Sequence, residues 1–185
     1  MTGGGVIVRP ASHDDDDAIW AILKPVYRAG QTYCIPRDIT RDAALADWFA
    51  PPFTVFVAEI GGRILGTSHV GANRPAGGSH VANASFATDP AARGRGVARA
   101  LVENAKIWAG RTGFAAMQFN FVVSSNADAV HLWQTSGFKI VGRLPGAFIH
   151  PQLGPVDAYV MFHDLCGQGL AGDQGAAAKT PADSR

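Results

Sequence analysis

Charge of either sign is scarce in this chain. Only 17% of its 185 residues are charged, and 16 basic residues stand against 15 acidic ones, for a net charge of +1. Such a balance favours neither sign of partner, and no basic stripe argues for nucleic acid. Cysteine is scarcer still: Cys34 and Cys166 stand far apart. That excludes a disulfide framework and a cysteine metal site, and fits a reducing cytoplasm. Long apolar runs are missing too. None approaches the ~20 residues of a membrane span, and "MTGGGVIVRP" lacks the apolar region of a signal peptide. No internal repeat is evident. What is left is a soluble globular chain, 47% apolar, expected in the cytoplasm and long enough for one domain with a sizeable core.

The pattern along the chain alternates between β and helical. "VIVRPAS" reads as a first strand ended by Pro10. The run Asp14-Asp15-Asp16-Asp17 then precedes "AIWAILKPVYRAG", as acidic residues precede a helix whose N-terminus carries positive partial charge. Ile19, Ile22, Leu23 and Val26 repeat at helical spacing, and Pro25 should kink or end that helix. "DITRDAALADWFAP" predicts a second, shorter helix. Two strands follow around Gly61-Gly62, and a third spans Gly77 to Pro90. A helix from Gly94 to about Thr112, a strand from Ala115 to Ser125, a short helix in "NADAVHLWQTSG" and two final strands complete the order. The domain is assigned to residues 1–166. From Gly167 to Arg185 little can be buried, and a disordered tail is expected.

"DPAARGRGVARALVENAK" concentrates the chemistry. The first N–H groups of a helix have no intrahelical acceptor, and with the dipole they make an anion site. Gly94 and Gly96 remove Cβ atoms, so a bulky phosphate can approach the main chain, and Arg93 and Arg95 add positive charge. An ordinary glycine-containing helix start has the same look. It is neither a P-loop, for no Gly-Lys-Ser/Thr follows, nor a dinucleotide fingerprint, for the third glycine is missing.

Two motifs together carry a resemblance. Arg93-Gly94-Arg95-Gly96-Val97-Ala98 fits an Arg/Gln-x-x-Gly-x-Gly/Ala signature, and Asn126, Ala129, Leu132, Gly137 and Phe138 fit Asn-x-x-Ala-x-x-Leu-Tyr-x-x-x-Gly-Phe. From Val6 to Leu165 the chain resembles the GCN5-related N-acetyltransferase (GNAT) superfamily. The resemblance implies an α+β fold: a mixed, mostly antiparallel sheet of about seven strands, splayed at its centre, with about four helices. It also implies acetyl-CoA as co-substrate and no metal. The amides from Arg93 to Ala98 would hold the pyrophosphate, and main-chain groups of Phe86, Ala87 and Thr88 would pair with the pantetheine arm.

One position departs from the family. Where its tyrosine acid usually stands, after Leu132, this chain has Trp133, whose indole N–H is far too weak an acid for a thiolate. Trp133 therefore reads as a pocket wall. The thiolate leaves to water or another group serves, and no Glu or Asp between Ser79 and Thr88 offers a base. His69, His80 and His131 are rival bases, each also readable as a surface or rim residue. Tyr159 could point toward the acceptor.

A narrower resemblance concerns that acceptor. "HVANASF" and "FNFVVSSNADAVHLWQTSGFKIVGRLPG" look like the fungal acetyltransferases that detoxify proline analogues such as azetidine-2-carboxylate. This implies Asn83 at the substrate carboxylate, with Asn120 and Asn126 near the reacting thioester. Asn126 can also be a helix N-cap. The expected activity is N-acetylation of a small amine, such as an amino acid or cyclic imino acid. Alternatives are a larger amine (aminoglycoside, polyamine, protein N-terminus) or a non-catalytic acyl-CoA sensor. A homodimer through the last strands is possible on this reading, since "PVDAYVMFHDL" would lie near a sheet edge.

Overall fold

The computed structural model describes residues 5–166, so the expected tail lies outside the described residues. The elements follow the expected order: β1 (Ile7–Pro10), α1 (Asp16–Ala29), α2 (Arg41–Trp48), β2 (Thr54–Ile60), β3 (Arg63–Ala72), β4 (Val81–Thr88), α3 (Val97–Arg111), β5 (Ala116–Val123), α4 (Ala127–Thr135), β6 (Lys139–His150) and β7 (Gly154–Asp164). The strands form one mixed sheet in the order β1-β2-β3-β4-β5-β7-β6.

The acidic run does more than face a dipole. Ser12 and Asp15 cap each other's main chain, and the Arg9 guanidinium grips both Asp15 carboxylate oxygens at 2.8 Å, tying β1 to the start of α1. That hydrogen-bonded pair holds the Asp15 carboxyl below the usual carboxylate range. Pro25 does not end the helix, which runs on to Ala29. Proline removes only the donor to the Ala21 carbonyl, and Ala21 and Pro25 both lie on the exposed side, where water can take that acceptor. Ile22, Leu23 and Tyr27, all buried, keep the opposite side packed.

Alternation along the strands separates two layers. Val55, Val57 and Ala87 meet α1 and α2 on one face. There the Trp48 indole donates to Thr67 Oγ1 at 3.0 Å, and Thr67 donates to the Phe56 carbonyl at 3.0 Å. The other face receives α3. A Cβ at Gly66 would stand 2.7 Å from Val97 Cγ1, so glycine is what lets α3 sit against β3. The helix itself starts at Val97, later than its sequence pattern suggests, because Gly94 and Gly96 both have positive φ and form a turn. The strand expected over Gly77 to Pro90 is likewise trimmed to Val81–Thr88.

The sheet opens at its centre. β4 and β5 are paired, in parallel, only at Val81↔Ala116 and Ala82↔Met117, the first residues of each strand. Beyond these the strands part. β5 continues against β7 through a bulge between Phe119 and Val122. The final strand, expected near a sheet edge, lies one strand in from it. It is enclosed by β5 and β6, and the edge belongs to β6, with Ile140, Val141, Leu144 and Ile149 exposed along it.

Candidate active site

The opening between β4 and β5 is a cleft of ≈ 410 Å³. It gathers Asn83, Phe86, Ala87 and Thr88 from β4, Asn120 from β5, and Asn126 and Trp133 from the start and body of α4. One mechanism places them all: two strands diverging from a closed end, with α4 beside them.

The two faces of the sheet give the cleft two kinds of wall. On the α3 side Phe86, Phe119 and Trp133 pack together, with Trp133 at 5.0 Å from Phe86 and 5.1 Å from Phe119 between ring centroids. Trp133 is buried and is a wall, as its chemistry required. On the other side lies a chain of amides. Asn83 Nδ2 donates to the Gln118 carbonyl at 2.8 Å, Gln118 Nε2 to Asn120 Oδ1 at 2.8 Å, and Asn120 Nδ2 to Asn73 Oδ1 at 2.6 Å. Asn126 caps α4 by accepting the Ala129 N–H at 3.4 Å and lines the cleft as well. No charged side chain is among the residues lining it.

The main chain of β4 also faces the opening. β4 bonds β3 through its odd-numbered residues, as the bonds from Asn73 N–H to the Val81 carbonyl and from Asp89 N–H to the Leu65 carbonyl show. The N–H and C=O groups of Ala84, Phe86 and Thr88 therefore point toward β5, which has moved away.

Past the end of β4 the chain enters the glycine turn. Asp89 caps the first bend through the Ala91 N–H at 2.7 Å and pairs with Arg63 at 3.1 Å. The first bond of α3 runs from Ala100 N–H to the Gly96 carbonyl, and no side chain caps the helix. The N–H groups of Val97, Ala98 and Arg99 are left for another acceptor. A Cβ at Gly94 or Gly96 would meet no atom within 4 Å, so the turn is bounded by open space. Uncapped donors, a helix dipole and two bare glycines fit a diphosphate. Val97 can offer only its main chain, its side chain being buried in the core. Arg93 is occupied elsewhere: its guanidinium pairs with Asp128 on α4 at 2.8 Å.

The rival bases are not in the cleft. His69 is buried between Trp48 and Phe53, with ring centroids 4.3 and 4.2 Å away, and its Nδ1 meets the Trp48 carbonyl at 3.0 Å. His80 and His131 are exposed, and neither these nor Tyr159 lines the opening. Sequence reasoning missed the opposite wall, where Val26, Thr32, Tyr33 and Cys34 close the cleft. Tyr33 donates to the Phe86 carbonyl at 2.7 Å and accepts the Phe86 N–H at 3.2 Å. The aromatic in the polar stretch "AGQTYCIP" was its only signal.

Comparison with known proteins assigns the chain to a family. Residues 17–138 match the Acetyltransferase (GNAT) family. The chain belongs to that family. This GNAT acetyltransferase is 30% identical over 154 residues to the N-acetyltransferase aca1 of Schizosaccharomyces pombe, covering 71% of each chain. Its fold matches the structure of a GCN5-related N-acetyltransferase from Kribbella flavida, with a TM-score of 0.83, 42% identity, and 86% of this chain and 98% of that one covered. It shares the fold of a phosphinothricin acetyltransferase from Sinorhizobium meliloti in complex with acetyl-CoA, with a TM-score of 0.77 and 20% identity over 98% and 94% of the two chains. The expected α+β fold and N-acetyltransferase class hold. Among the described residues, no helix is long and apolar enough to cross a membrane.

Proposed function

We propose that this GNAT acetyltransferase transfers acetyl from acetyl-CoA to a small amine carrying a carboxylate, an amino acid or a cyclic imino acid such as a proline analogue. The observation that carries the reading is the pair Asn83 and Asn120 on one wall of an uncharged cleft, held in place by hydrogen bonds to Gln118 and Asn73. Asn83 and Asn120 are half-buried. Once a ligand closes the cleft over them, an amide group left unpaired costs about 1–3 kcal/mol, and a zwitterionic ligand supplies partners that an apolar one cannot. A polycationic acceptor would call for carboxylates in the lining, and there are none.

The residues divide the work. In this reading the diphosphate is held through the N–H groups of Gly94, Gly96, Val97 and Ala98, those of Arg93 and Arg95 being bonded to the Pro90 and Ala92 carbonyls. The pantetheine arm pairs with the β4 edge at Phe86 and Thr88, the expected main-chain role of Ala87 being taken by its pairing with Thr67 on β3. Asn83 binds the acceptor carboxylate. Asn120 and Asn126 orient the reacting groups, while Phe86, Phe119 and Trp133 exclude water from one side. Bound acetyl-CoA supplies the activated acyl group. With no carboxylate or histidine among the residues lining the cleft, the acceptor amine reaches it already neutral or loses its proton to water. Two exposed free cysteines suit a reducing cytoplasm. A homodimer joined through the exposed edge of β6 goes with the same reading.

The test is calorimetric titration with acetyl-CoA against dephospho-CoA and ATP, followed by thiol release on a panel of amines. Turnover of azetidine-2-carboxylate and proline-like acceptors ahead of polyamines and aminoglycosides is expected. Preference for the polycations would overturn the acceptor class.

A further inference from the structure

Tyr33 reaches β4 from the connection between α1 and α2. Its hydroxyl both donates to and accepts from the main chain of one residue, Phe86, at 2.7 and 3.2 Å. Phe86 is one of the residues whose N–H and C=O face the open side of β4. A hydroxyl placed so does for that residue what a neighbouring strand would have done.

The reaction as proposed makes no use of this phenol. Burial holds it protonated well above the usual tyrosine range, which makes it a poorer acid for a thiolate than an ordinary phenol. Its ring stands edge-on to Tyr27 and Trp48, with centroids at 5.6 and 6.5 Å, on the wall opposite Trp133. The connection is pinned at its base. The Arg28 guanidinium meets the carbonyls of Arg37 and Ile39, and Arg37 Nε donates back to the Arg28 carbonyl at 2.8 Å. Any adjustment there falls on Tyr33 and its cleft-lining neighbours Thr32 and Cys34.

We infer that Tyr33 is a positioning residue that occupies the Phe86 strand edge in place of the pantetheine arm and yields it when acetyl-CoA binds. The inference rests on the proposed pairing of that arm with Phe86. One N–H cannot donate to both partners at full strength, so seating the cofactor turns the Tyr33 hydroxyl away. The wall beside the amide chain then takes its working shape only with the cofactor in place.

The experiment is titration of acetyl-CoA into the full chain and its Tyr33→Phe and Tyr27→Phe variants, with thermal melts of each free protein. Tyr33→Phe keeps the ring packing and removes only the competing hydroxyl. It should bind acetyl-CoA about three- to tenfold more tightly, the worth of a net hydrogen bond, and melt at a lower temperature when free. Tyr27→Phe, in the same aromatic cluster but away from Phe86, should show no such gain. Unchanged or weaker binding by Tyr33→Phe, or an equal gain in Tyr27→Phe, overturns the inference and leaves the acetyl-CoA assignment standing. Failure of the unaltered protein to bind acetyl-CoA would instead overturn the proposed function itself.

Discussion

Asn83 on β4 donates its side-chain amide to the main-chain carbonyl of Gln118 on β5 at 2.8 Å, one residue beyond the last strand pairing at Ala82↔Met117. A side chain thus spans the gap where the ladder stops. The same amide then sits at the inner end of the acceptor wall. Asn83→Ala is expected to raise the acceptor KM about tenfold, the effect of about 1.4 kcal/mol, with acetyl-CoA affinity nearly unchanged. Steady-state kinetics beside calorimetry separates the two, and an equal loss in both would assign Asn83 to holding the strands.

The glycine turn gives a second expectation. Gly96 has φ +78° and open space where a Cβ would stand. Gly96→Ala should therefore cost stability of about 1–2 kcal/mol through backbone strain, and its Cβ, standing in the space left for the diphosphate, should weaken acetyl-CoA binding modestly. Gly96→Glu adds negative charge and bulk where the diphosphate docks, and should weaken binding about a hundredfold. Normal binding by a folded Gly96→Glu would remove the anion-site assignment.

The Arg93–Asp128 pair is exposed on both sides, 85% and 83%, so its contribution to stability is small. Its effect on ligand binding is larger in prospect, because it diverts a cation from an anion site. Asp128→Asn should leave the melting temperature nearly unchanged and tighten acetyl-CoA binding severalfold at low salt. The gain should shrink as salt rises. Titrations at two ionic strengths decide it.

His69 makes the stability of α2 on β3 sensitive to acid. Burial pushes its ring below the usual histidine range, so the unfolded chain takes up a proton there more readily than the folded one. Acid then favours unfolding: stability present above about pH 6.5 is lost as the pH falls through and below that value. Urea midpoints near neutrality and in mild acid should fall further for the unaltered protein than for His69→Phe, which keeps the stacking on Trp48 and Phe53. Equal falls would place the acid sensitivity elsewhere.

Periodicity and turn chemistry made the elements legible, since each apolar stripe is buried against the facing layer, α1 and α2 on one side of the sheet and α3 on the other. Pro25 stays inside α1 rather than ending it, because its cost depends on which side of the helix meets water, which no local pattern records. The site was half legible. Asn83, Asn120, Asn126 and Trp133 lie on regular elements at fixed motif spacing, so alternation carries them to the same cleft. Tyr33 lies on an irregular connection more than fifty residues from Phe86, where only the folded chain brings them together. His69 was misread for a related reason. Strand alternation aimed it at α2, and a histidine on a central strand looks the same from either face.

The closed end of the cleft has one more consequence. Ala82 and Met117 are fully buried at the point where the two strands last touch, so they act as a fulcrum. With a rise of about 3.3 Å per residue, a strand five residues long from that point has an arm of roughly 16 Å. A change of about 5° in the angle between the strands moves its far end by roughly 1.4 Å. A single methylene gained or lost at the fulcrum is enlarged at the mouth. The substitutions that retune which amine fits need not touch the amine at all.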